Sequence, residues 1–526
     1  MPSFYIIIIF LFWLASALAD YVNFCYCWQL KEYRYDRWRD WLSTLSGQKF
    51  LASYPLLLRS LICLILFFSL PLASQYIILS LILIFAVDLA RQAWLFYRSR
   101  LKWPKLTLKS AAIIITALLV EALIYLFLAS PNILFLLLIC RLFIISLIVL
   151  LFKIPTRFIK AIYYKIAANK LKRQKKLIVI GITGSFGKTT VKYFLEQMLA
   201  AKFRIIKTPN NINTEIGIAK FILQTDFSQA DIFIVEMAAY KIGEIKLICD
   251  IVKPQFGILT AINEQHLPLF GNIKNTQAAK YELLYSLPQD GLAIINVDNP
   301  YCREFISELK CRVKTFGQLE EFKPDCLIKN ISPGAESLKF QAAPNYEIKT
   351  NIIGAHNAVN IAPVILAAND LGFIREEIEA QAKKFQLPQA TMQLVNYGRS
   401  IIIDDSYNAN PAGFTAGLKF LADYKVSGKK IVISRGMIEL GQAAPQAHLK
   451  IGRLIAEVAD EFIIISPDSV AELKAGADNS NLIIQTILNP TKLLQYLKKN
   501  KNQPNVILLE GRMPDNIKHE ISNVNT

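Results

Sequence analysis

GITGSFGKTTVKYFLEQML, from Gly181 to Leu199, opens on glycines and closes on an amphipathic pattern, with Val191, Phe194, Leu195 and Leu199 sharing one helical face. The apolar run Leu177 to Ile180 leads into it and reads as a buried strand. Strand, glycine-rich turn and helix form the context of a phosphate-binding loop. Glycines let backbone N–H groups close on phosphate oxygens, and the helix N-terminus adds positive potential. Lys188 is spaced to reach terminal phosphates and the Thr189 hydroxyl to bind Mg²⁺. The common spacing puts a glycine five residues before Gly187, where this chain has Ile182; Gly181 and Gly184 take its place. The competing reading is a plain glycine turn, and the flanking strand and helix weigh against it.

The 526 residues suffice for three or four domains. A hydrophobic share of 53% and a mean hydropathy of +0.34 point to membrane segments. The net charge of +18 is uneven: residues 1–176 hold 22 Lys/Arg against 6 Asp/Glu, and the other 350 residues hold 37 against 35. The basicity belongs to the apolar half, so it reads as positive-inside charge and not as a nucleic-acid patch. Eight scattered cysteines, with Cys25 and Cys27 as a lone C-x-C, form neither a zinc pattern nor a disulfide framework, and reduced cytoplasmic thiols fit them.

Five apolar stretches precede the loop: Tyr5–Ala19, Leu56–Ala73, Tyr76–Ala90, Ala111–Ala129 and Ile133–Phe152. The first and third are short for a ~20-residue span, which tilt or local thinning accommodates. Basic connections (Asp20–Tyr54, Arg91–Lys109, and the stretch after Phe152) alternate with uncharged turns at Ser74–Gln75 and Ser130–Asn132. That alternation predicts an outside N-terminus and cytoplasmic residues beyond Lys153. A cleaved signal peptide ending at Ala17-Leu18-Ala19 is disfavoured, because the basic residues follow the apolar run instead of preceding it. Glu121 and Arg141 lie ten residues either side of Pro131, at equal depth on two neighbouring helices, and this predicts an ion pair.

Lys153–Lys176 has nine Lys/Arg, no Asp/Glu, and Phe158, Ile159, Ile162, Tyr163, Tyr164 and Ile166 interleaved, the pattern of a basic amphipathic helix on anionic lipid. Beyond it, Asp231–Val235, Phe256–Thr260 and Leu292–Asn296 read as strands of a parallel α/β sheet. A second set begins near Ser400, at Ile401–Ile403, Lys430–Ile433, Glu461–Ile465 and Val506–Leu509. Glu236 closes the strand DIFIVE, where ligands bind in open α/β sheets, and suits a Mg²⁺ shell with Thr189. His266 and Lys280, taken by spacing alone, are an ordinary loop histidine and helix lysine.

With GITGSFGKTT, NTEIG at Asn213–Gly217, VEMAAYKIGEI at Val235–Ile245, HLPLFGNIKNTQAAKYELL, GAHNAVN at Gly354–Asn360, DDSYNANP at Asp404–Pro411, and IELG at Ile438–Gly441 followed by His448, in this order, the chain from about 177 to 526 resembles the Mur ligases. Within that family the strings are most similar to those of the members that add D-alanyl-D-alanine. The resemblance implies an ATP-dependent amide ligase of peptidoglycan precursor synthesis. In that chemistry a substrate carboxylate is phosphorylated and an amine attacks the acyl phosphate, with two Mg²⁺ ions offsetting the charge. It implies that Gly184, Ser185, Phe186, Gly187, Lys188, Thr189 and Thr190 hold ATP phosphates, that Asn357 meets adenine and that Asp405 meets ribose or acts as a hinge. It further implies that Thr189 and Glu236 serve one Mg²⁺ and His266 the second. Lys280 would be carbamylated to a metal-binding carboxylate, making Lys188, Lys280 and His266 the catalytic set. Tyr407, Asn408 and Asn410 would face the incoming amine.

Three departures from the family stand out. Apolar helices occupy the place of a uridine-nucleotide domain, so a lipid-linked muropeptide becomes an alternative acid. Thr391 stands where the family has an arginine, leaving Arg399 or Arg435 as substitutes. Arg435-Gly436-Met437 stands where the family has G-D-M.

The expected architecture is an all-α membrane domain of about five transmembrane helices (1–152) and a basic amphipathic linker helix (153–176). An α/β part follows, with a central P-loop Mur ligase domain (177–387) and a Rossmann-like C-terminal domain (388–526). The expected protein is a multi-pass ligase of the cytoplasmic membrane, with its catalytic domains cytoplasmic. The alternative outside enzymology is a nucleotide-binding scaffold that recruits membrane cell-wall enzymes; the joint presence of Lys188, Glu236, His266 and Lys280 argues against it.

Overall fold

The computed structural model describes the chain except residues 1, 52–53, 70–74, 98–102, 129, 131, 211, 264–269, 335–336, 408, 438–439, 441–442, 479–480 and 524–526. At 2–8, 45–46, 54–55, 75, 95–96 and 469 it describes backbone alone. Two compact units result, Met1–Ala161 and Ile162–Thr526.

The first unit is helical. Pro2–Leu30, Tyr54–Ser69, Gln75–Tyr97, Leu108–Leu128 and Ile133–Leu151 are its long helices. Among the described residues, five helices are long and apolar enough to cross a membrane. The shortness expected of the first and third stretches is corrected: those helices run 29 and 23 residues. They extend because the residues that end the apolar runs turn inward, where Asp20 and Asp88 are buried and paired. The unit inverts the soluble pattern, with Phe68, Leu83, Leu123 and Phe143 outside and charges inside. The expected pair forms: Arg141 Nη2 lies 3.1 Å from Glu121 Oε1, and both side chains are fully buried. It is part of a larger cluster, because Arg141 Nη1 also reaches Asp20 Oδ2 at 2.9 Å.

The second unit holds two sheets. The first comprises β1 (Ile178–Thr183), β2 (Ile205–Lys207), β3 (Ile232–Glu236), β4 (Phe256–Leu259), β5 (Leu292–Asn296), β6 (Arg312–Gly317), β7 (Cys326–Pro333), β8 (Leu338–Ala342) and β9 (Tyr346–Thr350), in the order β2-β3-β1-β4-β5-β6-β7-β8-β9. Pairing is parallel as far as β7, and β7–β9 form an antiparallel meander. The meander departs from the expected wholly parallel sheet. Its strands alternate buried and exposed residues, with one face on the core, so none has the continuous apolar run that marks a doubly covered strand. Helices Lys188–Leu199 and Asn357–Asp370 pack on one face of the sheet. Glu215–Gln224, Glu244–Val252 and Ile273–Tyr285 pack on the other. The chain leaves β1 toward β2 and β3 on one side and later returns as β4 and β5 on the other, which makes the end of β1 a topological switch point.

The second sheet, β10 (Gln393–Tyr397), β11 (Ser400–Asp405), β12 (Lys430–Ser434), β13 (Glu461–Ile464), β14 (Ile483–Thr486) and β15 (Val506–Glu510), has the order β10-β11-β15-β12-β13-β14, with only β10 antiparallel. Helices cover both of its faces. The basic segment is helical from Lys153 to Lys172, with Ala167 and Leu171 in the core of the second unit. All eight cysteines are free.

The Glu121–Arg141 contact yields a double-mutant cycle. Glu121→Gln and Arg141→Gln should each destabilise the helical unit by roughly 3–5 kcal/mol, since each strands a buried charge. The double change should cost less than their sum. All six tryptophans lie within residues 13–103, so tryptophan fluorescence during denaturation reports on this unit. Additive losses would show that the two side chains do not interact.

Candidate active site

At the switch point the chain turns from β1 into helix Lys188–Leu199 through Gly184 and Gly187, which have φ of +151° and +80°. A Cβ at Gly184 would stand 2.0 Å from Thr260 Oγ1, and one at Gly187 would stand 2.8 Å from Asn360 Oδ1. Neither position tolerates a side chain, so this close loop requires its glycines. Ser185 ties it to the end of β4: its N–H donates to Ala261 O at 2.7 Å, and its Oγ accepts from the Asn263 N–H at 3.0 Å.

Lys188 Nζ donates to Gly184 O at 2.7 Å, curling the ammonium over the loop. Burial pushes its pKa down, opposed by Glu236 and assisted by Lys192. Glu236, at the end of β3, accepts from Thr189 Oγ1 at 3.1 Å, Lys192 Nζ at 2.9 Å and Asn213 Nδ2 at 3.2 Å. Burial alone would raise this carboxyl, but Lys192 and Lys188 hold it below the ordinary glutamate value. The predicted pair Thr189 and Glu236 is therefore together, as an ionised carboxylate beside a hydroxyl at a helix N-terminus. That donor set fits a hard divalent cation. Lys192 and Asn213 were missed by the sequence reading. Their signal was present, since Lys192 lies one helical turn after Lys188 and Asn213 opens NTEIG.

Lys280 lies on Ile273–Tyr285, whose first turn is capped by Asn272 Oδ1 accepting from the Asn275 N–H at 2.8 Å. The Lys280 side chain is buried, and burial, with Lys188 as a second cause, pushes its pKa down to about 7. His266 and Asn408 lie outside the described residues, as does most of Ile438–Gly441.

A cleft of about 310 Å³ separates the loop from the second sheet, with Ser185, Lys188, Thr189, Thr190, Asn357, Asp405, Tyr407 and Asn410 among its lining residues. Asn357 is buried; its Nδ2 donates to Ile353 O at 2.8 Å and its Oδ1 accepts from Asn360 at 3.0 Å. Asp405 Oδ1 accepts from the Met392 N–H at 3.2 Å, fastening the connection between the sheets to β11. Burial, opposed by that bond and reinforced by Asp404, pushes its carboxyl up to about 7. Its ladder partner on β15, Glu510, is fully buried and raised by burial and by Asp405. Tyr407 crosses the cleft to the Thr189 side chain. Asn410 Oδ1 is committed to capping helix Pro411–Asp423, accepting from the Gly413 N–H at 3.0 Å.

The Thr391 hydroxyl donates to Pro388 O at 2.6 Å, turned into its own loop. Of the two arginines considered as its substitute, Arg399 is excluded. It precedes β11, whereas Asp405 ends that strand at the cleft, and six residues of strand span ~20 Å. Arg435 follows β12 at the cleft end, and its buried Nε has no partner among the described residues. Burial and Glu236 raise the Tyr407 phenol, and Arg512, which no motif marks, lies close enough to oppose that rise.

Profiles of two known domains match the second unit: the Mur ligase middle domain over residues 182–368, and the Mur ligase glutamate ligase domain over 392–513. The chain is 30% identical over 324 residues to the UDP-N-acetylmuramoyl-tripeptide–D-alanyl-D-alanine ligase of Synechocystis, covering 60% of this chain and 68% of that one. It is 26% identical over 347 residues to the Bacillus subtilis enzyme of the same name, covering 63% and 72%. Among solved structures, MurF from Acinetobacter baumannii superposes with a TM-score of 0.62 at 23% identity, over 69% of this chain and 80% of that one. MurF ligase from Thermotoga maritima in complex with ADP gives 0.61 at 24%, over 69% and 83%. At these identities the structural likeness speaks for the fold.

Lys192→Met removes the buried counter-charge of Glu236. It should loosen β1 and β3 by roughly 3 kcal/mol, read as faster hydrogen exchange over Ile178–Thr183 and Ile232–Glu236. Adding Glu236→Gln should recover most of that loss. If both segments keep wild-type protection in Lys192→Met, the pair does not hold the strands.

Proposed function

The chain belongs to the Mur ligase family and is an ATP-dependent ligase that forms amide bonds, and from that premise we propose that it joins D-alanyl-D-alanine to a muramoyl peptide while anchored in a membrane. The observation that carries the reading is the cleft in which Lys188 and Thr189, the latter hydrogen-bonded to buried Glu236, lie opposite Asp405 and Tyr407 at the end of β11. Lys188 and the loop amides suit the terminal phosphates of ATP. The left-handed glycines let the loop backbone approach the nucleotide closely. Thr189 and Glu236 would hold Mg²⁺, which supplies charge neutralisation at the transferring phosphoryl group. The acid is activated as an acyl phosphate, and the amine nitrogen displaces phosphate from its carbonyl carbon. Asn357 is assigned to adenine and Asp405 to ribose; Tyr407 and Asn408 are assigned to the amine, and Asn410 shapes that wall by capping its helix.

Lys280 suits carbamylation, because only a neutral amine attacks CO₂ and burial lowers its pKa to about 7. The carbamate would then share a second Mg²⁺ with His266. Between about 7 and the ordinary lysine value the unfolded chain binds the proton that the folded chain lacks, so the Lys280 contribution to stability rises with pH across that window.

Membrane anchoring is supported by the five apolar helices and their outward-facing Phe68, Leu83, Leu123 and Phe143. Helix Lys153–Lys172 adds exposed Phe158, Ile159, Ile162 and Ile166 among basic residues, a face suited to anionic lipid. The positive-inside pattern favours cytoplasmic catalytic domains. Because the family profiles begin at residue 182 and apolar helices precede them, a lipid-linked muropeptide is the second reading for the acid.

The test is phosphate release and amide formation by the full chain in nanodiscs, with ATP, Mg²⁺ and D-alanyl-D-alanine. One arm offers UDP-N-acetylmuramoyl-tripeptide and the other a lipid-linked muropeptide. Product in the first arm supports the leading reading; product in the second alone selects the lipid-linked acid; no product in either overturns the assignment of these substrates. Lys188→Ala should abolish turnover with the fold intact.

A separate measurement addresses Lys280. With ¹³C-bicarbonate, a carbamate resonance should grow as pH rises through about 7 and be absent in Lys280→Ala. An unchanged spectrum in that variant would remove the assignment.

A further inference from the structure

Each of the five long helices of the first unit contributes one ionisable side chain to a single buried cluster: Asp20, Arg59, Asp88, Glu121 and Arg141. Three carboxylates meet two guanidinium groups. Fully ionised, the cluster would carry one uncompensated negative charge inside an apolar bundle, an arrangement that is expensive unless something neutralises it.

The hydrogen bonds show where the imbalance falls. Both oxygens of Glu121 are occupied by donors: Oε1 accepts from Trp13 Nε1 at 2.7 Å and Arg141 Nη2 at 3.1 Å, and Oε2 accepts from the Tyr21 hydroxyl at 2.6 Å. A carboxylate so solvated is the charged form. Asp20 and Asp88 differ, since they share one donor atom: Arg59 Nη1 lies 2.8 Å from Asp20 Oδ2 and 2.7 Å from Asp88 Oδ2. Arg141 Nη1 also donates to Asp20 Oδ2 at 2.9 Å, and Ser16 Oγ donates to Asp88 Oδ2 at 3.2 Å. Described donors thus reach only the Oδ2 atom of each aspartate. The nitrogen of Arg59 already occupies the space between the two carboxyls, which suits a proton better than a metal ion.

Access is one-sided. The side chains of Asp20, Asp88 and Arg59 retain 6–10% of their exposure, whereas Glu121 and Arg141 retain none. Cys63, on the Arg59 helix, also faces the cluster. Arg91, one turn beyond Asp88, hydrogen-bonds none of the five among the described residues.

We propose that the five-helix cluster is an intramembrane proton site, with one exchangeable proton held by the Asp20–Asp88 pair around Arg59. Release converts one aspartic acid to aspartate and passes a proton to water at the partly exposed end, while Glu121 and Arg141 stay ionised as a fixed anchor. Loss of the proton sets two carboxylates against one Arg59 nitrogen, weakening the hold of helices Tyr54–Ser69 and Gln75–Tyr97 on Pro2–Leu30. The site stands on the geometry of the bundle and is independent of the ligase chemistry.

The test is pH-difference infrared spectroscopy of the full chain in zwitterionic nanodiscs. Asp405 and Glu510 also favour their protonated forms, so the signal is read as wild type minus Asp88→Asn and wild type minus Asp20→Asn. Each difference should contain one protonated-carboxyl band that disappears at alkaline pH and shifts in D₂O, with one fewer proton released per chain by the variant. Both variants should fold, because an amide copies the neutral acid, while Glu121→Gln lowers bundle stability. The proposal is overturned if neither difference contains such a band, or if both aspartate variants fail to fold. It is equally overturned if Na⁺ at fixed pH, rather than pH, changes the spectrum.

Discussion

The carboxylate of Glu236 is fastened from three directions, and the second unit is arranged around that fastening. Thr189 and Lys192 come from the helix after β1, and Asn213 comes from the connection between β2 and β3. The donors come from two separate stretches of chain, so the carboxylate can stay ionised and buried only when strand, loop and helix are docked together. A buried charge with a missing partner costs several kcal/mol, so this contact makes the geometry of the phosphate loop cooperative with folding.

The same constraint acts in the helical unit with opposite surroundings. There the outer surface is apolar and the interior holds five ionisable groups. In a lipid environment burial of greasy surface does not draw helices together, and polar contacts carry more of the specificity. Each long helix contributes one charged residue to the cluster, so the register of every helix is set by the same contacts. The two halves therefore share a physical logic: ionised groups are tolerated inside only where several elements converge on them.

Catalysis in a two-sheet unit requires its parts to close over the nucleotide. Across the cleft the Tyr407 side chain reaches Thr189, Ile353 packs into the core of the second sheet, and Asp405 holds the Met392 N–H at the end of the connection. The connecting residues Ala390 and Met392 adopt φ of +58° and +48°, a left-handed backbone that ordinary side chains seldom take. Strain is thus concentrated in the short segment that joins the sheets, where a hinge would bend. Thr391, lacking the charge its family position usually carries, uses its hydroxyl inside that segment.

Much of this was legible in residue order alone. Continuous apolar runs marked β3, β4, β5, β11, β12, β13 and β15 to within two residues and β1 to within three, because strands buried on both faces leave that signature. The glycine spacing, Lys188 and Thr189 announced the phosphate loop, and equal depth in a hairpin announced the Glu121–Arg141 contact. What tertiary structure alone decided was every relation between distant segments. The β7–β9 meander and β10 escaped because half-exposed strands alternate weakly and resemble loops. Lys192 and Asn213 carry no local mark as partners of Glu236, and only the fold brings them against it. Asp20 follows the first apolar stretch and Arg59 and Asp88 lie within the second and third, and only packing joined them into the cluster that reaches Arg141 through Asp20. Local sequence determines which segments are strands, helices and turns, since that depends on neighbours a few residues apart. The partners of the buried charges lie 20 to 121 residues away in the chain, beyond what a local pattern encodes.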